Sequence, residues 1–346
     1  MTEPRGAEVD TLPFLTGVEP PVEGTIRSEP ADFRVEEVPA YLPAGEGDHL
    51  FVQFEKTSIN TPDAVRRIAR ALEVEPKESG YAGLKDRHAI TVQWASFLFG
   101  DAAKLDTPID GVRVLQAARH GNKLRTGHLK GNRFDLLVRG APIDRLADVQ
   151  DSLATMEKRG VPNYFGAQRF GGSNLRDAKA WLIEGGRKPR KPFLRKLFVS
   201  VLQSAVFNEL LAARVSAGTL DRAEPGDLLQ KTESGGMFPC EDSAVDTPRV
   251  ESFEVGPTGP MFGPRTRLAE GQVGEREREA QARWGLDDVV MGRFRKAGQG
   301  TRRPYRVPLS DAQVTSEPDG LRLRFTLPSG AYATVVLREL LGRADL

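Results

Sequence analysis

GVPNYFGAQRFGGSNLRDA, residues 160–178, is where the chain changes texture. Before it, DFRVEEVP (32–39), HLFVQFEK (49–56), AITVQWASFLFG (89–100), GVRVLQAAR (111–119) and NRFDLLVRG (132–140) are short β-rich runs bounded by turn residues, and each predicts a strand. One helix is expected at 61–74, where Thr61 can cap, Pro62 suits the first position, and Val65, Ile68, Ala69 and Leu72 share a face. A second is expected at 143–160, with Leu146, Val149, Leu153 and Met156 inward and Gly160 as its stop. Beyond residue 160 the pattern is helical at 174–186 and 193–218, Gly/Pro-rich from 224 to 267, and helical again at 275–285. Two strands then return around the turn EPDG (317–320), and AYATVVLRELLG (331–342) predicts a closing helix. Strands, then helices, then strands describe an α+β domain interrupted by an insertion.

A length of 346 residues suits about two domains. With 39% hydrophobic and 28% charged residues the chain is expected to be soluble and globular, with no apolar run near the roughly 18 residues of a membrane helix. The polar start MTEPRGAEVDTLPF predicts no secretory signal. Cys240 is the single cysteine, and the histidines stand apart at 49, 88, 120 and 128, so neither a disulfide framework nor a Cys/His zinc site is expected. These features predict a cytoplasmic protein with no metal.

Net charge is only +1, which argues against bulk coating of nucleic acid. Three stretches are nevertheless basic and free of acids: 119–133, 185–196 and 292–306. One such run reads as a solvated face; three in a nearly neutral chain point to a local anion-binding surface.

Three segments could carry chemistry. In ESGYAGLKDRHAITVQWAS (78–96), Lys85 and Arg87 flank Asp86, a setting that favours an ionised carboxylate, although a surface turn explains the triplet equally well. In LKGNRFDLLVRG (129–140), Asn132 and Phe134 lie two apart and share a strand face, so one could bond a base edge while the other stacks, or both could be structural. In 160–178, Tyr164, Phe165 and Phe170 interleave with Gln168 and Arg169, which suits a packing corner or a nucleic-acid contact. His88 is expected to make a structural hydrogen bond, and Cys240 to be incidental.

Taken together, KDRHAITVQW (85–94), HLKGNRF (128–134), GVPNYFGAQRFGGSNL (160–175) and RFTLPSGAYATVVLREL (324–340), in this order and spacing, closely resemble the TruD family of tRNA pseudouridine synthases. PADFRVEE (30–37) resembles its N-terminal motif and RHGNKLRTGHLKGN (119–132) its basic hairpin. The resemblance spans about residues 20–345. It implies isomerisation of uridine 13 of tRNA to pseudouridine; because that is a rearrangement no cofactor is expected, and a monomer is expected. It implies an α+β pseudouridine synthase core with a mixed, largely antiparallel sheet of permuted connectivity, over 1–159 and 305–346. An inserted α/β TRUD domain would occupy 160–304.

The same resemblance makes Asp86 the catalytic carboxylate and Asn132 and Phe134 its NxF neighbours. It places Phe33 and Phe325 in the active site as well. Arg27 stands where family members often carry lysine, and Arg27 and Lys85 are the expected ion-pair partners of Asp86. The basic stretches supply the expected tRNA contacts: Arg119, Lys123, Arg125, Lys130, Arg187, Lys188, Arg190, Arg302 and Arg303, with Arg169 beside them. The alternatives are a tRNA-binding or folding protein without turnover, and a nucleosidase-like hydrolase that would need a second carboxylate, for which Glu36 and Glu37 are the nearest in sequence.

Overall fold

The computed structural model describes residues 9–16 and 20–342. The chain divides into two compact units, one made of 21–153 and 309–333, the other of 1–20, 154–308 and 334–346. The expected boundaries put both chain ends with the strand-rich part; by contacts, residues 9–16 and most of the last helix (Ala333–Leu341) group with the helical unit.

The first unit is built on an eight-stranded sheet. Its strands are β1 (Phe33–Pro39), β2 (His49–Thr57), β3 (Gly80–Tyr81), β4 (Ile90–Leu98), β5 (Val112–His120), β6 (Leu129–Arg139) and the hairpin Ser310–Glu317 with Gly320–Pro328. The order runs Ser310–Glu317, Gly320–Pro328, β6, β1, β4, β2, β5, with β3 beside β4. Every neighbouring pair is antiparallel except β1 with β4, so the sheet is mixed and largely antiparallel.

Register decides which side chains meet. Val35 pairs with Phe134 and with Thr91, Glu37 with Asn132, Phe325 with Phe134, and Lys56 with Thr91. Paired residues share a face, and side chains alternate along a strand. One face therefore carries Phe33, Val35, Glu37, Asn132, Phe134, Phe325 and Lys56 together. Over the β2–β4 part of that face lies helix α1 (Thr61–Ala71), whose Ala64, Val65, Ile68 and Ala69 bury against Leu50, Val52, Phe54, Ala95 and Phe97. The opposite face packs Phe51, Trp94, Ala82 and Leu124.

The cap of α1 corrects one expectation. Asn60, not Thr61, is the cap, accepting the Asp63 amide at 2.9 Å. Thr61 is the first helical residue, and its hydroxyl donates to Gln93 at 3.0 Å while accepting the Lys85 amide at 3.0 Å. The freed hydroxyl thus anchors the segment that carries Asp86.

In the second unit the helix Pro192–Ser216 is the centrepiece, burying Val199, Leu202, Val206, Phe207 and Leu211. By length and composition it could cross a membrane, contrary to the expectation from the sequence, but most of its apolar window is spent inside the unit's own core. A small sheet orders Thr301–Pro304, Val255–Met261, Leu228–Lys231 and Met237–Pro239. Val161–Pro162 pairs antiparallel with Arg306–Val307, so the ends of the segment between them lie side by side. Buried ion pairs Arg214–Asp227 (2.7 Å) and Arg302–Glu277 (2.6 Å) brace the interior.

Candidate active site

Asp86 lies in the irregular segment between β3 and β4. Leu84 and Asp86 turn outward, whereas Lys85 turns inward, where its ammonium is 2.8 Å from a carboxylate oxygen of buried Glu37. Lys85 is therefore not an ion-pair partner of Asp86, which corrects that expectation: its ammonium is buried against the carboxylate of Glu37, whereas Asp86 stays at the surface with Arg27. Glu37 in turn accepts the Trp94 amide at 3.4 Å.

Arg27 is the partner of Asp86, its Nη2 donating to Oδ2 at 3.0 Å. The Asp86 side chain stays 54% exposed, so its carboxylate is held and still reachable. Arg27 is itself positioned by two features. Thr25 exchanges main-chain hydrogen bonds with Arg139 at the end of β6 (2.9 and 2.8 Å), which fixes the segment at the sheet. The Arg27 guanidinium then lies over the Phe33 ring, 4.2 Å from its centroid. Its backbone φ is +62°, a left-handed conformation that costs an L-residue roughly 1–2 kcal/mol.

A third cation enters from below. Lys56, fully buried at the end of β2, donates to the main-chain carbonyl of Asp86 at 2.6 Å. Burial pushes its amine down to about 8, against the opposing pull of the Asp86 carboxylate. Lys56 was not among the candidates from sequence, although a signal existed. It continues the period-two stripe Leu50, Val52, Phe54, where a charged residue is out of place unless it has a partner.

The aromatic residues form one stack on the same sheet face. Phe134 meets Phe33 edge-on at 6.4 Å and Phe325 at 5.3 Å with a 30° tilt. Phe33 and Phe325 are 2% and 1% exposed, so they support Phe134 rather than offer a surface themselves; Phe134 keeps 6%. Asn132 stands opposite Glu37 on β6, and among the described residues its Oδ1 is buried without a hydrogen-bond partner, as is Nε of Arg27.

The expected tRNA contacts divide. Arg125, Lys130, Arg187, Lys188 and Arg190 are exposed, and Arg119 and Lys123 half-buried. Arg302 is not available: its guanidinium is buried and paired with Glu277. Arg303 lies over the Phe165 ring at 4.3 Å and donates to Asn163, and Arg169 lies 5.3 Å from the same ring and donates to Ser200 at 3.3 Å. With Tyr164, Phe165 and Phe170 buried, residues 160–178 form a packing corner. The basic stretch 292–306 thus spends Arg302 and Arg303 on structure. His88 is exposed and makes no structural hydrogen bond among the described residues, and Cys240 is buried among Ala223, Leu229, Val250 and Val255. Among the described residues no group of three or more His, Cys, Asp or Glu could hold a metal ion.

A family model for tRNA pseudouridine synthase D (TruD) matches residues 9–179 and 188–340. The chain is 47% identical to tRNA pseudouridine synthase D of Anaeromyxobacter dehalogenans, covering 97% of this chain and 98% of that protein. It is 44% identical to the protein of that name from Thermus thermophilus, over 96% of this chain and 92% of the relative. A crystal structure from Methanosarcina mazei bearing the TruD name superposes with a TM-score of 0.80 at 23% identity, covering 99% of each chain, and so shares the fold. The chain belongs to the TruD family of tRNA pseudouridine synthases.

Proposed function

We propose that this protein isomerises uridine to pseudouridine in tRNA, at position 13, with Asp86 as the essential carboxylate. The observation that carries the reading is a reachable carboxylate gripped by Arg27, with its own main chain fixed by Lys56. The reaction breaks the N1–C1′ bond, turns the uracil and joins C5 to C1′; the C5 proton is released and N1 gains one. It is a rearrangement, and one positioned carboxylate suffices as nucleophile or as base. Extruding the target base costs a few kcal/mol, and contact with an aromatic ring returns roughly 1–3 kcal/mol. Phe134, the least buried ring of its stack, supplies that surface, and Asn132 has hydrogen-bonding capacity for the base or its ribose. Arg119, Lys123, Arg125, Lys130, Arg187, Lys188 and Arg190 supply phosphate contacts, and residues 160–304 form the family's inserted domain.

A hydrolase would need a second free carboxylate. Glu37 is buried against Lys85, and Glu36 is paired with Arg133 at 3.1 Å. Neither is free to activate water. The test is incubation with an unmodified tRNA transcript, followed by mapping of the product. Pseudouridine at position 13, absent with Asp86→Asn, is expected. Equal product from Asp86→Asn overturns the role of Asp86, free uracil indicates hydrolysis, and tight binding without product indicates a binding protein.

A further inference from the structure

On the sheet face away from α1, a cavity of about 500 Å³ is lined by Tyr41, His120, Asn122, Lys123, Arg125 and His128. This lies within the roughly 300–1,000 Å³ of small-ligand sites. Two cations and no carboxylate line it, so its ligand is anionic.

The walls are built rather than incidental. Phe51, His120 and Tyr41 form a ladder of rings, with His120 4.7 Å from Phe51 and stacked on Tyr41 at 5.1 Å and 24°. Tyr41 hydroxyl and His128 Nδ1 are hydrogen-bonded at 2.7 Å, and the Ala44 amide donates to His120 Nδ1 at 3.3 Å. A Cβ on Gly47 would lie 2.6 Å from the Gly121 backbone, so the loop after Tyr41 presses directly onto the turn after His120. Tyr41 remains 36% exposed at the cavity, which leaves ring area uncovered at the end of the ladder.

The same turn is fastened to the strand that feeds Asp86. The Leu124 amide donates to Ser96 Oγ at 2.9 Å, and the Gly127 amide to the Ala82 carbonyl at 2.8 Å, four residues before Asp86. A Cβ on Gly80 would fall 2.0 Å from the Leu124 carbonyl, so the contact requires glycine there.

We propose that this cavity is a second RNA subsite, which takes a nucleotide other than the target, its base against Tyr41 and its phosphate against Lys123 and Arg125. An open aromatic ring beside cations selects a nucleotide over a bare anion. The inference rests on the tRNA reading above and adds a contact on the other side of the sheet from Lys56 and Phe134.

The test is titration of the full chain with unmodified tRNA at several salt concentrations, with pseudouridine formation followed in parallel. Lys123→Glu and Arg125→Glu are each expected to weaken binding and to lower the slope of log K against log salt by about one. Tyr41→Ala is expected to weaken binding roughly 5- to 150-fold with the slope unchanged, and Tyr41→Phe to bind as the parent does. Thermal melts establish that each variant is folded, and if Tyr41→Ala is not, the charge variants decide. Unchanged affinity and slope in both charge variants overturn the subsite, as does inorganic phosphate raising the melting temperature while tRNA affinity ignores every substitution. Product from a parent whose variants bind normally refutes this inference alone. Binding that depends on these residues with no product refutes the proposed activity and leaves the subsite standing.

Discussion

Lys56 grips Asp86 by its main-chain carbonyl, at 2.6 Å, and leaves the carboxylate to Arg27. The aspartate is thus held at two points from opposite ends of the residue, one deep in the sheet and one at the surface. Backbone anchoring limits where the carboxylate can swing without consuming its lone pairs, an arrangement suited to the role proposed for Asp86.

Removal of that anchor should be visible in rate and in pH dependence. Lys56→Met is expected to lower kcat by about 10-fold, the worth of one charge-assisted hydrogen bond. The folded amine titrates near 8 and the unfolded one near 10.5. Between these values the unfolded chain binds more protons, so this group makes stability rise with pH there and contributes a constant penalty below pH 8. Denaturant unfolding at pH 7.5 and pH 10 should show the parent gaining on Lys56→Met, by at most about 3 kcal/mol. A pH-independent difference would show that the amine is not titrating in this window.

Arg27 combines three things lysine cannot all supply: a planar fork, a ring contact with Phe33 and a salt bridge to Asp86. Arg27→Ala should reduce kcat about 10- to 100-fold, as expected for losing a hydrogen bond to a charged group. Arg27→Lys should recover part of that loss. Steady-state kinetics on a tRNA transcript distinguish the two, and equal rates for all three proteins would remove Arg27 from the mechanism.

Phe134 is at once the middle of a ring stack and the proposed surface for the target base. Phe134→Ala should cost about 3–5 kcal/mol of stability, as large-to-small changes in a core do. Phe134→Leu should cost only about 1–2 kcal/mol and still reduce turnover, because it fills the space without a flat face. Denaturation midpoints measured beside kinetics separate the two roles; full activity in Phe134→Leu would assign the ring to packing alone.

A second buried titratable group belongs to the other unit. Glu339, on the last helix, accepts the Leu15 amide at 2.7 Å, and burial raises its carboxyl to about 7. Between pH 4.5 and 7 the folded state holds a proton that the unfolded chain has released, so this group makes stability fall as pH rises through that window. Glu339→Gln keeps an acceptor for Leu15 and removes the charge and its 3.3 Å ion pair with Arg338, which burial outweighs, while Arg338 keeps the carbonyls of Val9, Leu12 and Pro13. It should be neutral at pH 4 and stabilising by about 1–3 kcal/mol at pH 8, read from denaturant midpoints.

Strand and helix content was legible because the elements obey their periods. The runs at 33–39, 49–57 and 129–139 alternate or are continuously apolar, and the helix over 61–71 keeps one apolar face. The errors fell where a residue's partner is distant in the chain. Arg302 looked like a free cation in a basic run, yet it faces Glu277, which no local pattern announces. Lys85 looked like a neighbour for Asp86 and instead pairs with Glu37, forty-eight residues away.

By itself the sequence determined the kinds of element, the mixed α+β class and the family, because periodicity and ordered motifs are local properties. Only the tertiary structure decided which cation serves which acid. Sheet register, with β1 parallel to β4 and antiparallel to β6, carries Glu37 to Lys85 and Lys56 to the backbone of Asp86. Charges pair by distance in space, and the partner that register brings near is not the neighbour in the chain.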